Sequence, residues 1–267
     1  MAIACAGVRW AVVPILLLAA CASGGGAAGG TSTTTSTASS SSSSTTATST
    51  SAGGPVIVVD PGHNGANGAH PEEINRPVDA GGFQKACNTT GAATNGGVTE
   101  SSINWAVAQL LRDRLEAHGA TVILTRDSDD GVGPCIDERG RTAADAHADL
   151  LLSVHADGAP AGAHGFHVIH PALRPGYTDD TVGPSAEAAT VVRDALVAAG
   201  FTPSTYVGDD GLDERDDLGT LNLASVPAVM VEAGNLRNDG DAQTLTSEDG
   251  QSRLADALAS GALAFAA

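Results

Sequence analysis

The chain has 267 residues, with 31 Asp and Glu against 13 Lys and Arg, and a formal net charge of −18 at pH 7. A strongly negative surface argues against binding to nucleic acid and against electrostatic attachment to anionic lipid. Residues 55–267 are numerous enough for one domain with a substantial core.

Residues 1–21 have the features of an export signal. One basic residue, Arg9, precedes the apolar run 10–18, which is too short to remain as a membrane span. The segment then ends in Leu-Ala-Ala-Cys, which resembles a bacterial lipobox and implies cleavage before Cys21 and lipidation of its sulfur. An ordinary signal peptide, with Cys21 incidental, is the alternative. We therefore expect an exported protein, lipid-anchored at the outer face of the cytoplasmic membrane.

Residues 22–54 consist almost entirely of Ser, Thr, Gly and Ala. Such a segment has no apolar side chains to bury, so nothing offsets the entropy lost on ordering it. We interpret it as a disordered tether with a root-mean-square reach of roughly 30 Å.

The remaining chain alternates between short apolar runs and helical patterns. After the first apolar run comes a loop, 61–99, that is too long to be a simple connection. Strands are predicted at 56–59, 121–125, 150–154, 165–170 and 227–232, and helices at 100–118, 137–147, 184–199 and 248–265. Unbroken apolar strands separated by helices predict a single α/β domain with a mostly parallel sheet and helices on both faces.

Two cysteines remain in the domain once Cys5 leaves with the signal and Cys21 is taken by lipid. In an exported domain Cys87 and Cys135 are expected to pair, which would stabilise the fold by ~4 kcal/mol. A role for either as a zinc ligand or nucleophile is the alternative. Neither has a nearby Cys or His at metal-binding spacing, which favours the disulfide.

Four polar residues stand where apolar runs end or a helix begins. His63, His155 and Glu232 each close an apolar, strand-like run, and Glu100 opens the helix after the long loop. The carboxyl ends of parallel strands meet at one edge of a sheet, where ligands bind in this class of fold. We therefore expect the three strand-end residues to converge.

Two imidazoles and one carboxylate are a ligand set for hydrolytic zinc, with one position left for water. His63, Glu100 and His155 can supply that set, and Glu232 can move protons between water and a leaving amine. Taken singly, His63 could be a turn residue and Glu100 a first-turn acid favoured by the helix dipole. The hypothesis depends on the four residues together.

The other histidines carry weaker signals. The three strand histidines, His164, His167 and His170, are predicted to be non-catalytic, with His164 and His170 lining the cleft. The histidines at helix ends, His118 and His147, are predicted to be at the surface. His70, in the long loop, could approach the site. The motifs of serine hydrolases, P-loop enzymes and His-Glu-x-x-His metalloproteases are lacking.

Together the motifs resemble those of the zinc-dependent N-acetylmuramoyl-L-alanine amidases of the amidase-3 family. The segments that carry the likeness are 58–65, Glu100 with Asn104, 125–127 with Arg139, 148–157 and 231–238, and together they cover nearly all of 55–267. The resemblance implies that His63, Glu100 and His155 bind one Zn²⁺ and that Glu232 is catalytic. It also implies a sheet of about six strands.

By this resemblance the enzyme acts, as a monomer, on peptidoglycan or its fragments and hydrolyses the amide between N-acetylmuramic acid and L-alanine. The long loop and the Cys87–Cys135 pair resemble actinobacterial, mycobacterial-type members. The chain departs from the family pattern at Ala156-Asp157, where an Asn is commoner, and at Ala233 and Asn235. A zinc peptidase or carboxypeptidase of the envelope, or a non-catalytic lipoprotein that binds peptidoglycan, is the alternative.

Overall fold

The structure is a computed structural model and describes residues 53–267. The predicted signal peptide with Cys21, and the tether up to residue 52, lie outside the described residues. Among the residues described, no helix is both long enough and apolar enough to cross a membrane.

A six-stranded sheet forms the centre of the domain. Its strands are β1 (Val56–Pro61), β4 (Thr121–Leu124), β5 (Leu150–Asp157), β6 (His167–Pro171), β7 (Leu212–Arg215) and β8 (Ala228–Asn235). The strand order is β4-β1-β5-β8-β6-β7. Neighbours run parallel except at the β8–β6 junction, where the pairing is antiparallel. The predicted single α/β domain with a mostly parallel sheet of about six strands is confirmed.

Helices cover both faces of this sheet. One face packs against α2 (Glu100–Ala117), α4 (Val182–Ala198) and α7 (Glu248–Phe265), and the other against α3 (Ile136–Asp145) and α5 (Gly219–Asn222). Alternate strand residues supply the two cores: Val59 and Leu152 face the first layer, Val58 and Leu151 the second. Because both faces are buried, the strands are apolar without alternation.

Helix α2 begins where Thr99 accepts a hydrogen bond on its hydroxyl from the Ser102 amide, 3.4 Å away. Its buried face carries Ile103, Val107, Leu111 and Leu115, which recur at helical spacing and pack into the core. The capped first turn thereby holds Glu100 at the edge of the sheet.

The structure contains several elements that the sequence patterns did not predict. The long loop holds a 3₁₀ helix (Asn67–Ala69), α1 (Pro71–Ile74) and a hairpin of β2 (Pro77–Asp79) and β3 (Gln84–Ala86), and a further helix is α6 (Asp239–Thr246). Strands β5 and β8 also continue beyond His155 and Glu232. The prediction that these two residues close their strands was therefore wrong by two or three positions.

Candidate active site

His63 lies just beyond the end of β1 and has a positive φ of 59°, a conformation that few residues other than glycine adopt. Its Nδ1 is 3.1 Å from the carbonyl oxygen of Thr89. Because a carbonyl only accepts, Nδ1 carries the hydrogen and Nε2 presents a lone pair. That Nε2 lies 3.0 Å from Oε1 of Glu100.

Two buried arginines hold the turn that presents His63. Arg139 donates to the carbonyl oxygens of Pro61 and His63 at 2.8 Å each, and to Oδ1 of Asp60 at 2.6 Å. Arg126 donates from Nε to the Pro61 carbonyl oxygen at 2.9 Å. Two cations from distant segments of the chain thus hold the turn after β1 in place.

Asp60 is the buried anion that balances Arg139. Burial acts to raise its pKa, but the Arg139 charge and the hydroxyls of Ser153 and Thr125 outweigh this and lower the pKa to about 2. Ser153 donates to Oδ2 at 2.6 Å and Thr125 to Oδ1 at 2.5 Å. Asp60 is therefore ionised at neutral pH, and its role is to hold Arg139.

Glu100 is the hub of the site. Its Oε1 is 2.9 Å from Nδ1 of His155 and accepts from the Ala156 amide at 3.1 Å, while Oε2 accepts from the Ala92 amide at 2.7 Å. Burial acts to raise its pKa, but other effects, the largest of which is the hydrogen bond from His155, bring the pKa well below the ordinary value. The carboxylate is thus held as an anion between two imidazoles.

The donor set of His63, Glu100 and His155 fits a divalent metal ion. Ligand atoms at about 2.0–2.1 Å from a tetrahedral zinc lie about 3.3 Å apart, close to the 2.9 and 3.0 Å that separate Glu100 Oε1 from the two ring nitrogens. The Nε2 lone pair of His63 also faces a carboxylate oxygen, an arrangement that a cation stabilises. The tautomer set by Thr89 is that of a metal-binding histidine.

Two glycines make room for these side chains. A Cβ at Gly62 would lie 2.2 to 2.6 Å from atoms of the His155 ring, and one at Gly91 would lie 2.7 Å from Oε2 of Glu100. Gly91 also has a φ of 74°, which favours glycine. The ring of His155 therefore packs against bare backbone, edge-on to the His63 ring at 4.8 Å between centroids.

Glu232 is the fourth predicted residue, and it pairs in register with His155 on the adjacent strand. Its Oε2 is buried and has no hydrogen-bond partner among the described residues. Burial raises the pKa of Glu232 well above the ordinary value, and the charges of Glu100 and Asp157 raise it further, against a smaller opposing effect of Arg215. The raised pKa gives this carboxylate a higher proton affinity, which suits it to proton transfer.

A buried histidine, predicted from the sequence to be non-catalytic, lies on the other side of Glu232. His167 pairs with Glu232 in register from β6, and its Nδ1 is buried 3.8 Å from Oδ2 of Asp157. Tyr206 donates its hydroxyl hydrogen to the same oxygen at 2.7 Å. Burial lowers the pKa of His167, although Asp157 and Asp213 oppose this, so a neutral imidazole flanks Glu232.

A cleft of about 250 Å³ opens beside these groups. His63, His155 and Glu232 line one part of it. The rest of the wall comes from the end of β1, the long loop, the start of α3, the region around α5 and strand β8, namely Asp60, Gly62, Lys85, Ala86, Asn88, Thr89, Ile136, Arg139, Leu218, Gly219, Thr220 and Met230. The long loop thus forms one side of the cleft.

The other histidine predictions have mixed outcomes. His164 lines a different cavity, with Asp241 and Arg253, and His170 does not line the cleft, so the prediction for these two was wrong. His70 pairs with Glu73 at 2.9 Å and does not approach the site. His118 and His147 are exposed, as predicted.

The predicted disulfide is confirmed, since Cys87 and Cys135 are bonded. Cys87 follows β3 and Cys135 is the N-cap of α3. The bond therefore joins the long loop to the helix that carries Arg139.

Comparison with known proteins agrees with this geometry. The profile of the amidase-3 family, described as N-acetylmuramoyl-L-alanine amidase, matches residues 57–264. The chain is 41% identical over 213 residues to N-acetylmuramoyl-L-alanine amidase Rv3717 of Mycobacterium tuberculosis, covering 79% of this chain and 86% of that protein.

Solved structures of two relatives share the fold. The N-acetylmuramyl-L-alanine amidase Ami1 of Mycobacterium smegmatis is 39% identical with a TM-score of 0.75, over 80% of this chain and 97% of its own. Ami1 of Mycobacterium abscessus, in its apo form, is 42% identical with a TM-score of 0.76, over 80% of this chain and 100% of its own. The chain therefore belongs to the amidase-3 family of N-acetylmuramoyl-L-alanine amidases.

Proposed function

We propose that the protein is a zinc-dependent amidase that hydrolyses the bond between the lactyl carbonyl of N-acetylmuramic acid and the nitrogen of L-alanine, in peptidoglycan or its fragments. One observation carries the proposal: two histidines and a buried carboxylate converge within 3.0 Å contacts, with Glu232 directly beside them. Family membership and the relatives named above support the same bond specificity.

In this proposal His63, Glu100 and His155 would hold one Zn²⁺, which would supply Lewis acidity to a carbonyl and lower the pKa of water to about 7. The protein keeps the three donors in place through the Thr89 carbonyl, the Ala92 and Ala156 amides and the glycine backbone.

Glu232 carries the proton between the two halves of the reaction. It accepts a proton from the attacking water and returns it to the amide nitrogen as the carbon–nitrogen bond breaks. The products are the lactyl carboxylic acid of the sugar and the free amine of the stem peptide. Burial of Glu232 raises its pKa, which matches its proton affinity to that task.

We further propose that residues 1–21 are a lipoprotein signal, that 22–54 form the tether and that 55–267 are the catalytic domain. Lipidation of Cys21 would hold a monomeric enzyme at the outer face of the cytoplasmic membrane. A tether with a reach of roughly 30 Å would then let the domain meet nearby peptidoglycan.

Product analysis tests this function. Purified protein is incubated with a muramyl peptide, with and without a chelator, and the products are identified by mass. We expect free stem peptide and intact muramic acid, loss of both after chelation, and recovery on adding zinc. Cleavage between peptide residues would show a peptidase instead, and binding without cleavage at full zinc occupancy would show the non-catalytic lipoprotein.

A further inference from the structure

The chain contains a single lysine, Lys85, and that lysine lines the catalytic cleft. It lies on β3, four residues before Thr89, whose carbonyl oxygen holds the ring of His63. In a chain with a net charge of −18, a cation at this position is a specific feature of the cleft.

Lys85 belongs to a small charged group at the cleft wall. Its ammonium donates to the carbonyl oxygen of Asp217 at 2.8 Å and to Oδ2 at 3.0 Å. Arg215 donates to the same carboxylate, from Nε at 2.8 Å and from Nη2 at 2.9 Å. One carboxylate therefore lies between two cations, and the three residues together carry one net positive charge.

The ammonium of Lys85 can bind a further acceptor. A lysine has three N–H donors, two of them face Asp217, and the side chain is 37% exposed. The other cation of the cleft differs, because Arg139 donates four hydrogen bonds within the protein and its side chain is 3% exposed. Lys85 is thus the cleft cation that a substrate can reach.

The apolar part of the cleft strengthens the hydrogen bonds that the Lys85 ammonium can make. Ile136, Leu218 and Met230 line the same space as Lys85, and apolar walls lower the local dielectric constant and so strengthen a charge-assisted hydrogen bond. The acceptor that such a group recognises is an anion, and a carboxylate fits the ammonium best among the groups of a peptide.

We propose that Lys85 binds a free carboxylate of the stem peptide and makes the enzyme prefer acidic stems to amidated ones. This inference rests on the amidase function proposed above. The second stem residue, a glutamate linked through its side chain, bears a main-chain carboxylate about 6 Å from the scissile nitrogen, within two extended residues. A diamino acid at the third position can bear another carboxylate further along.

The test measures kcat/KM on pairs of muramyl peptides that differ by one carboxylate or carboxamide, at the second residue in one pair and at the third in the other. For the wild type we expect the acid to be preferred about tenfold in one pair, the effect of one charge-assisted hydrogen bond. That pair identifies the carboxylate. Lys85→Met should bring its ratio close to one through a higher KM for the acid, and Lys85→Arg should keep most of the preference.

Arg141→Gln serves as the control, because it removes an exposed positive charge paired with Asp137 outside the cleft. It should keep the wild-type ratio, which excludes a general effect of net charge. Equal rates on both pairs in the wild type, or an acid preference that survives Lys85→Met, would overturn the inference. Cleavage of the amidated peptides by the wild type tests the amidase function separately.

Discussion

Glu232 and His155 lie directly opposite each other on adjacent parallel strands. The two residues nevertheless have different surroundings: His155 Nδ1 contacts Glu100 at 2.9 Å, whereas Glu232 Oε2 is buried with no hydrogen-bond partner among the described residues. The register places a group suited to binding metal beside one suited to holding a proton.

Removal of either histidine should remove the metal. His63→Ala and His155→Ala each delete one of three donors, and we expect zinc affinity to fall by at least about 100-fold, more than is lost with an outer-shell contact. Zinc per protein after dialysis measures this. The control is His70→Ala, an exposed histidine paired with Glu73, which should keep full zinc content. Wild-type zinc content in both His63→Ala and His155→Ala would refute the ligand assignment.

Gly62→Ala should disturb the metal site without a change in any donor. The added Cβ would lie 2.2 Å from the His155 ring, so the ring must move, and we expect zinc affinity to fall by about 10–100-fold. Gly68→Ala is the matched control, since its Cβ meets only a Thr90 methyl at 3.7 Å. If both variants bound zinc equally well, the proposed packing of the ring would be wrong.

The Asp60–Arg139 pair should make stability depend on pH in acid. The folded-state pKa of Asp60 is lowered to about 2 from an ordinary 3.8. Its stabilisation is therefore present above about pH 4 and is lost as the pH falls towards 2. The amount is about 2 kcal/mol.

The check is the free energy of unfolding of the wild type minus that of Asp60→Asn, measured from pH 6 to pH 2. The difference should shrink by about 2 kcal/mol over the lower part of this range. A difference that does not change with pH would show that Asp60 is not held as a buried anion.

The disulfide should contribute substantially to stability. Cys87 and Cys135 are 48 residues apart in sequence, and closing a loop of that size constrains the unfolded chain by about 4 kcal/mol. Denaturant unfolding of the Cys87→Ser/Cys135→Ser double variant should show a loss of that order. The reduced wild type should match the double variant. A loss below about 1 kcal/mol would indicate that the long loop is held by its other contacts alone.

The strands and the site residues could be predicted largely from local patterns. Apolar runs such as Val56–Val59 predicted the strands, and the positions of His63 and His155 near the carboxyl ends of β1 and β5 correctly indicated that they meet. Strand β7 could not be predicted, since Leu-Asp-Glu-Arg at the sheet edge has no apolar pattern. The hairpin in the long loop has strands of three residues each, too short for a periodic signal.

Contacts between segments that are distant in the chain also could not be predicted from the sequence patterns. His167 was interpreted as non-catalytic, and only strand register shows that it faces Glu232. The link from Tyr206 to Asp157 spans 49 residues and that from Lys85 to Asp217 spans 132. A single sequence contains no local sign of such pairs, because tertiary packing alone brings them together.

The division of roles between His155 and Glu232 is tested most directly by Glu232→Gln, assayed for both zinc content and turnover of a muramyl peptide. Glutamine keeps the shape of glutamate but cannot transfer the proton. We expect one zinc per protein, as in the wild type, and a fall in turnover of about 10²–10⁴-fold. Turnover close to wild type, or loss of zinc together with activity, would contradict the assignment of Glu232 as the proton carrier.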